Sequence, residues 1–338
     1  MQATLRSRRW QCVYFFMDEF STLEELLPEA TLLIFCRLHW VHRLDGLKQK
    51  AHALHIPVLF DVDDLVFNLD YLQMVTNTLN VHFGGEADYT FWFADISRIG
   101  AAAALADGFL TTNDFLGEKL TEKFGKPYQI IRNSLNEEQL AVSAECLKRK
   151  RSAQLKMPFT MGYFSGTPSH INDFRTIYQE LMQLLMDYPD MVLQVVGFME
   201  FPQAMQPLIN AKRVTFIPLV DFLQLQCLTA QVDVSLVPLV CNTFTNCKSE
   251  LKYFEAAMVG TPTVAAPNYT YSHAIRDGVT GFLCQPGQWY GAIKWLYDHQ
   301  QESSSMADAA RESCLSIYAG EAFIAEVEQA YDYFASKA

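Results

Sequence analysis

The stretch Asn246-Cys-Lys-Ser-Glu-Leu-Lys-Tyr-Phe-Glu-Ala-Ala-Met-Val-Gly-Thr-Pro-Thr-Val-Ala-Ala266, with Ala274-Ile-Arg-Asp-Gly-Val-Thr-Gly-Phe-Leu283 soon after it, decides the fold. Ser249 to Val259 reads as a helix, because Leu251, Phe254 and Met258 form an apolar stripe at helical spacing. Gly260 and Pro262 supply the stop chemistry, and Thr263 to Ala266 reads as the strand that follows. At about 100° per residue, Lys248, Lys252 and Glu255 fall within roughly 60° of one another on that helix. A stripe of two cations and a carboxylate therefore lies beside the apolar one.

Upstream the same grammar repeats. Phe159 to Phe164, Met191 to Val196, Val214 to Ile217 and Val232 to Val237 read as short apolar strands. Between them lie a helical pattern from Ile171 to Tyr188 and another through Phe222, Leu225 and Leu228. Near-continuous apolar strands alternating with helices predict a parallel sheet covered on both faces. The N-terminal half shows the pattern more faintly, with strands at Leu32 to Cys36, Val58 to Phe60, Gly108 to Thr111 and Tyr128 to Ile131. Helices are expected there at Leu44 to Leu54, Phe91 to Leu105 and Phe115 to Phe124. The charged segment Glu138 to Pro158 has no strand pattern, which places a domain boundary near Lys156. The expected organisation is an N-terminal domain over 1–155, a C-terminal domain over 156–318 and a last helix over 319–338 that packs back on the first domain. Ligands of open parallel sheets bind beyond the carboxyl ends of the strands, so two such domains create a cleft suited to joining two substrates.

The 338-residue length suits two domains. A net charge of −12 argues against a nucleic-acid partner. No run of eighteen uncharged apolar residues spans a bilayer, and the basic Met1 to Arg9 segment leads into Asp18, Glu19, Glu24 and Glu25 rather than a secretory core. Eight cysteines without a metal-type spacing fit a reducing compartment. The expected location is cytoplasmic, with peripheral association at the inner face of the membrane as a further expectation. The basic run Lys148 to Arg151 reads as a solvated linker helix.

The Asn246–Leu283 segment resembles the donor-binding signature of retaining family 4 glycosyltransferases, where a helix bearing E-A-x-x-x-G-x-P-V-V-A leads to an I-x-x-G-x-x-G-x-L turn. Gly162-Tyr-Phe-Ser-Gly166 looks like that family's loop after the first strand of the C-terminal domain. Phe60-Asp-Val-Asp-Asp-Leu-Val-Phe67 and Ile131-Arg-Asn-Ser134 look like pieces of its N-terminal domain. The resemblance implies an α/β protein of GT-B fold, two Rossmann-like doubly wound domains facing across a cleft. It also implies metal-independent, retaining transfer of a hexose or deoxyhexose from a nucleotide diphosphate sugar to a glycan or lipid-linked acceptor, as in polysaccharide biosynthesis. No cofactor or metal is expected beyond that co-substrate.

Donor-side candidates follow. Amides at the helix start, near Asn246 and Ser249, would attract a diphosphate. Lys248 and Lys252 would add charge-assisted bonds, and Glu255 would accept bonds from sugar hydroxyls, the donor's ribose by resemblance. The plain alternative is a charged helix face with ordinary neighbours. Ser165 and Gly166 stand at a strand end where backbone can approach a phosphate. The family's Arg and Lys in the next loop are absent here, and His170 is the one possible cation between Thr167 and Asp173; Arg276 is a further candidate. Eight residues before Glu255 the family has a second Glu, and this chain has Cys247. That departure motivates a second reading, a catalytically silent GT-B module that binds a glycan or a partner transferase, and a third, an epimerase of the same fold.

Acceptor-side candidates are Asp63 and Asp64, which with Asp61 follow a strand, together with Arg37, His82, His39 and His42. For the three aspartates, turn capping, acceptor contact and metal binding all remain open. Tyr89, Phe91, Trp92 and Phe93 read as core or an oligomer contact, or as an acceptor platform or lipid-facing patch.

Overall fold

Two all-parallel sheets organise the chain, whose computed structural model describes residues 6–152, 158–167 and 170–337. The first sheet holds β1 (Leu33–Cys36), β2 (Val58–Asp61), β3 (Gly108–Thr111) and β4 (Tyr128–Ile130), side by side in chain order. The second holds β5 (Phe159–Ser165), β6 (Met191–Gly197), β7 (Val214–Ile217), β8 (Val234–Val237), β9 (Thr263–Ala265) and β10 (Phe282–Leu283). Its order is β10-β9-β8-β5-β6-β7. The chain therefore starts in the middle at β5, builds outward to β7 and returns to β8 on the other side of β5. That reversal opens a crevice beyond the carboxyl ends of β5 and β8. The first sheet has no reversal and offers a plain row of strand ends.

Apolar residues on both faces explain why each sheet is covered twice. In the first lobe Phe35, Val58, Phe60 and Phe109 meet Leu44, Leu47, Ile96 and Ile99 from the helices His42–Ala53 and Glu86–Leu105. Leu59 and Leu110 point the other way and are covered by Phe323, Val327, Tyr331 and Phe334 of the last helix, Gly320–Ala335. Gly108 makes that approach possible, because a Cβ there would lie 2.2 Å from Cε1 of Phe334. The last helix thus returns from the second lobe to complete the core of the first.

Three expectations are corrected. The helix expected from Ser249 begins at Leu251 and ends at Met258, and a separate short helix, Thr243–Asn246, precedes it. Asn242 starts the short helix with a capping box to Thr245. The break has a clear cause. The Cys247 carbonyl accepts from Asn113 Nδ2 at 2.8 Å and the Lys248 carbonyl from Thr270 Oγ1 at 2.8 Å. Those carbonyls are the ones a continuous helix would offer to the amides of Leu251 and Lys252. Second, Ile171 to Tyr188 is two helices, His170–Arg175 and Tyr178–Asp187. Thr176 ends the first by donating its hydroxyl to the Asp173 carbonyl at 2.7 Å.

Third, the segment expected at the end of the first domain belongs by packing to the second. The helix Glu137–Ser152 brings Val142 and Cys146 against Cys227, Ala230 and Val259, while Leu135 and Leu140 join the second lobe's core. Lys156, the expected boundary, lies outside the described residues. The basic run on this helix is not wholly solvated either. Lys150 turns inward and donates to the Val232 carbonyl at 2.8 Å and to Thr261 Oγ1 at 2.7 Å.

Candidate active site between the lobes

The β5–β8 crevice of the second lobe faces the strand ends of the first, and a small set of bonds crosses the gap. Lys248 Nζ lies 3.2 Å from Asp64 Oδ1. Asn133 Nδ2 donates to Ser249 Oγ at 2.8 Å, and Asn242 Nδ2 donates to Thr78 Oγ1 at 2.9 Å. Phe244 and Cys247 are buried in the hydrophobic core of the first lobe although they belong to the second. The 242–249 segment is therefore the seam along which the lobes meet.

Behind the seam lies a buried polar cluster. Asp173 accepts from His170 Nδ1 at 2.8 Å and, with its other oxygen, from the Val240 amide at 2.8 Å. This ties the His170–Arg175 helix after β5 to the loop after β8 at the reversal point. His170 is desolvated, and burial together with the ammonium of Lys252 outweighs Asp173 and pushes the imidazole down to about 4. With its pKa there, the imidazole is neutral at physiological pH. Its Nδ1 proton is committed to Asp173, which leaves Nε2 as an acceptor for a hydroxyl.

Lys252 stands on the first turn of the Leu251–Met258 helix. Burial lowers its pKa to about 8; Asp173 and Glu255 oppose the shift and Lys248 adds to it. Among the described residues no carboxylate lies within ion-pair distance of its ammonium, and none of them accepts a hydrogen bond from it. Glu255, one turn on, is raised to about 7 by burial, against the pull of Lys252 and a 3.3 Å hydrogen bond from Gln139 Nε2. Lys248 itself stands in the loop before the helix, 4.6 Å above the Phe244 ring. The stripe expected on one helix face is thus a convergence from a loop and a helix.

Other donor-side candidates are spent on the fold. Asn246 Oδ1 accepts from the Tyr269 amide at 3.0 Å, and Ser249 holds Asn133. The helix that follows opens at Leu251 behind Glu250, whose carboxylate accepts from Tyr318 Oη at 2.5 Å, so Asn246 and Ser249 lie before its first turn. Ser165 is buried and donates to the Thr167 carbonyl at 3.1 Å, while Gly166 is exposed with open space where a Cβ would stand. Arg276 is exposed on the turn after β9.

On the acceptor side, Arg37 Nη1 lies 2.8 Å from Asp63 Oδ1 and 3.3 Å from Asp64 Oδ2. Asp61 is pushed up to about 6 by burial and by Asp63, with the Cys36 thiol 3.7 Å away. Among the described residues no group of three or more His, Cys, Asp or Glu stands in metal-holding geometry. His39 pairs with Asp95 at 2.8 Å. His82 is exposed, and the structure does not bring it into the arginine–aspartate group. Tyr89, Phe91 and Phe93 are exposed, whereas Trp92 packs on the first lobe's core. Among the described residues no helix is long and apolar enough to cross a membrane.

A family comparison matches residues 159–299 to the model described as glycosyl transferases group 1. The matched segment contains β5 to β10 and every residue of the polar cluster except Gln139. Among solved structures, HepE of Anabaena, in complex with UDP, is 16% identical with a TM-score of 0.62, covering 94% of this chain and 81% of that one. Sucrose-phosphate synthase of Thermosynechococcus elongatus is 17% identical, with a TM-score of 0.59 over 96% of this chain and 82% of that one. WaaG, a glycosyltransferase involved in lipopolysaccharide biosynthesis, is 14% identical, with a TM-score of 0.59 over 96% and 85%. No curated protein matches the sequence. The fold is therefore the two-lobed GT-B architecture of these structures.

Two residues of the polar cluster escaped sequence reasoning. Asp173 carries a local signal, the His-x-x-Asp spacing that sets both side chains on one helix face. Gln139 has only a capping signal: its amide donates to Asn136 Oδ1 at 2.7 Å and its Oε1 accepts from the Asn136 amide at 3.2 Å. Its reach to Glu255, 116 residues away, has no local trace.

Proposed function

We propose that the chain is a retaining glycosyltransferase that takes a hexosyl group from a nucleotide diphosphate sugar, with uridine diphosphate the favoured carrier, and passes it to a glycan or lipid-linked hydroxyl. The observation that carries this reading is Lys252, a desolvated ammonium with no ion-pair partner among the described residues, placed beside Lys248 at the strand-order reversal of a segment similar to group 1 glycosyl transferases. An interior cation is costly unless paired, and a diphosphate supplies the pairing. The HepE structures that hold UDP and UDP-glucose support uridine as the base.

In this reading Lys252 and Lys248 stabilise the charge that develops on the departing diphosphate. Glu255, oriented by Gln139, accepts from the ribose hydroxyls. Neutral His170 offers Nε2 to a hydroxyl of the donor sugar. Asp63, Asp64 and Arg37 present hydrogen-bonding groups from the opposite lobe to the acceptor, whose hydroxyl attacks from the face the diphosphate leaves. No side chain acts as a covalent nucleophile, and no step requires a metal ion. The protein would work in the cytoplasm, at the inner face of the membrane when its acceptor is lipid-linked.

One observation favours a second reading. Cys247, at the place where the family carries its first Glu, is buried in the first lobe's core, so no carboxylate reaches the sugar from there. A silent module that binds a donor and stabilises an assembly fits that loss. Thermal shifts across UDP, GDP and dTDP, followed by release of nucleoside diphosphate with and without a panel of acceptors, separate the two. Binding with turnover supports the transferase, binding without turnover supports the module, and absence of any nucleotide binding refutes the transferase.

A further inference from the structure

Cys146 and Cys227 meet sulfur to sulfur across a helix pair. Cys146 lies on the Glu137–Ser152 helix and Cys227 on the Phe222–Ala230 helix, and their Sγ atoms are 3.0 Å apart. Both are free thiols. A bonded pair stands about 2.05 Å apart, so a relative movement of about 1 Å closes the bond. Val142, Ala230 and Val259 surround the pair and hold the two helices in register. Among the described residues no other two cysteine sulfurs are in contact.

We propose that Cys146 and Cys227 form a reversible intramolecular disulfide that fastens the linker helix to the second lobe. The oxidant is a low-molecular-weight disulfide such as oxidised glutathione. Cys227 is the more accessible of the two, and its thiolate attacks that disulfide, releasing one glutathione and forming a mixed disulfide. The sulfur of Cys146 then attacks the Cys227 sulfur and releases the second glutathione. Two protein thiols become one disulfide, and one glutathione disulfide becomes two thiols carrying the two protons. Burial holds the Cys146 thiol up at about 11, so the second step is the slow one and quickens as pH rises.

The consequence reaches the cleft. Asn136 stands just before the same helix and Gln139 on its first turn, where Gln139 donates to Glu255. The cross-link spans 81 residues of chain, restricts the unfolded state and pins the helix that orients this carboxylate.

The test uses the full reduced chain, incubated with oxidised glutathione, quenched by alkylation in acid and mapped without reduction. A cross-linked peptide pair containing Cys146 and Cys227, released by dithiothreitol, is expected. It should accompany a rise in Tm of roughly 5 °C, absent from Cys146→Ser and Cys227→Ser. Alkylation of both thiols under these conditions overturns the proposal, as do glutathione adducts without the cross-link or cross-links confined to other cysteines. The wild-type map decides the matter even if a serine variant fails to fold.

Discussion

Lys248 Nζ lies 3.2 Å from Asp64 Oδ1, an ion pair that joins the two lobes, while Arg37 Nη1 lies 3.3 Å from the other oxygen of the same carboxylate. The first lobe thus supplies the counter-anion for the cation that the second lobe extends into the cleft. A diphosphate arriving at Lys248 must share that ammonium with Asp64 or displace it. Lys252, deeper in the second lobe, feels Asp173 and Glu255 but has no carboxylate within ion-pair distance among the described residues.

Replacing Asp64 by Asn should release Lys248 to the donor. A partly screened pair of this kind is worth about 1 kcal/mol, so the Kd for UDP should fall roughly 2–5-fold by calorimetry. A weaker Kd in Asp64→Asn would show that the carboxylate supports donor binding.

Lys252→Ala should weaken UDP binding by about 10–100-fold, the loss of a charge-assisted bond in a desolvated place. Removing an interior cation that has no ion-pair partner among the described residues should let the Tm of Lys252→Met hold or rise. Unchanged UDP affinity in both variants would refute the role given to this residue.

Donor affinity should be bell-shaped in pH. Glu255, raised to about 7, is ionised only on the alkaline side of that value, and Lys252, lowered to about 8, keeps its proton only on the acid side. Affinity should therefore rise through pH 7 and fall through pH 8. Glu255→Gln should remove the lower limb and leave the upper. Stability runs separately. The unfolded chain holds the Lys252 proton up to 10.5, so its contribution to folding improves from about pH 8 to 10.5, a trend absent from Lys252→Met melts.

Phe334→Ala should cost about 3–4 kcal/mol of stability, because this buried ring fills the space that Gly108 leaves over β3. Chemical denaturation monitored by circular dichroism checks it. A loss below 1 kcal/mol would mean that the last helix contributes little to the first lobe's core.

Much of the architecture is legible locally. The mostly apolar runs at 159–164 and 191–196 became strands buried largely on both faces, and 214–217 became the edge strand β7, where Thr215 and Phe216 are exposed. Gly260 ends its helix with a positive φ of 68°, a conformation glycine adopts without strain. Parallel pairing follows from strands alternating with helices, and the cleft follows from having two such lobes, whereas the order reversal at β5, absent from the first sheet, is set only by how the strands pair.

What the chain does at the seam was decided elsewhere. The helix pattern through Lys248 was intact in the sequence, yet Asn113 and Thr270 take the carbonyls of Cys247 and Lys248 and start the helix at Leu251. Likewise His170 carries a proton or not according to Lys252 and its burial, and Gln139 finds Glu255 only when the linker helix docks. Periodicity, capping and turn residues act on neighbours in the chain, so the sequence determined the strands, the helices and their alternation. Desolvation and bonds between distant segments depend on what packs over a residue, so only the tertiary structure decided which cations are bare, which are paired and which groups are neutral.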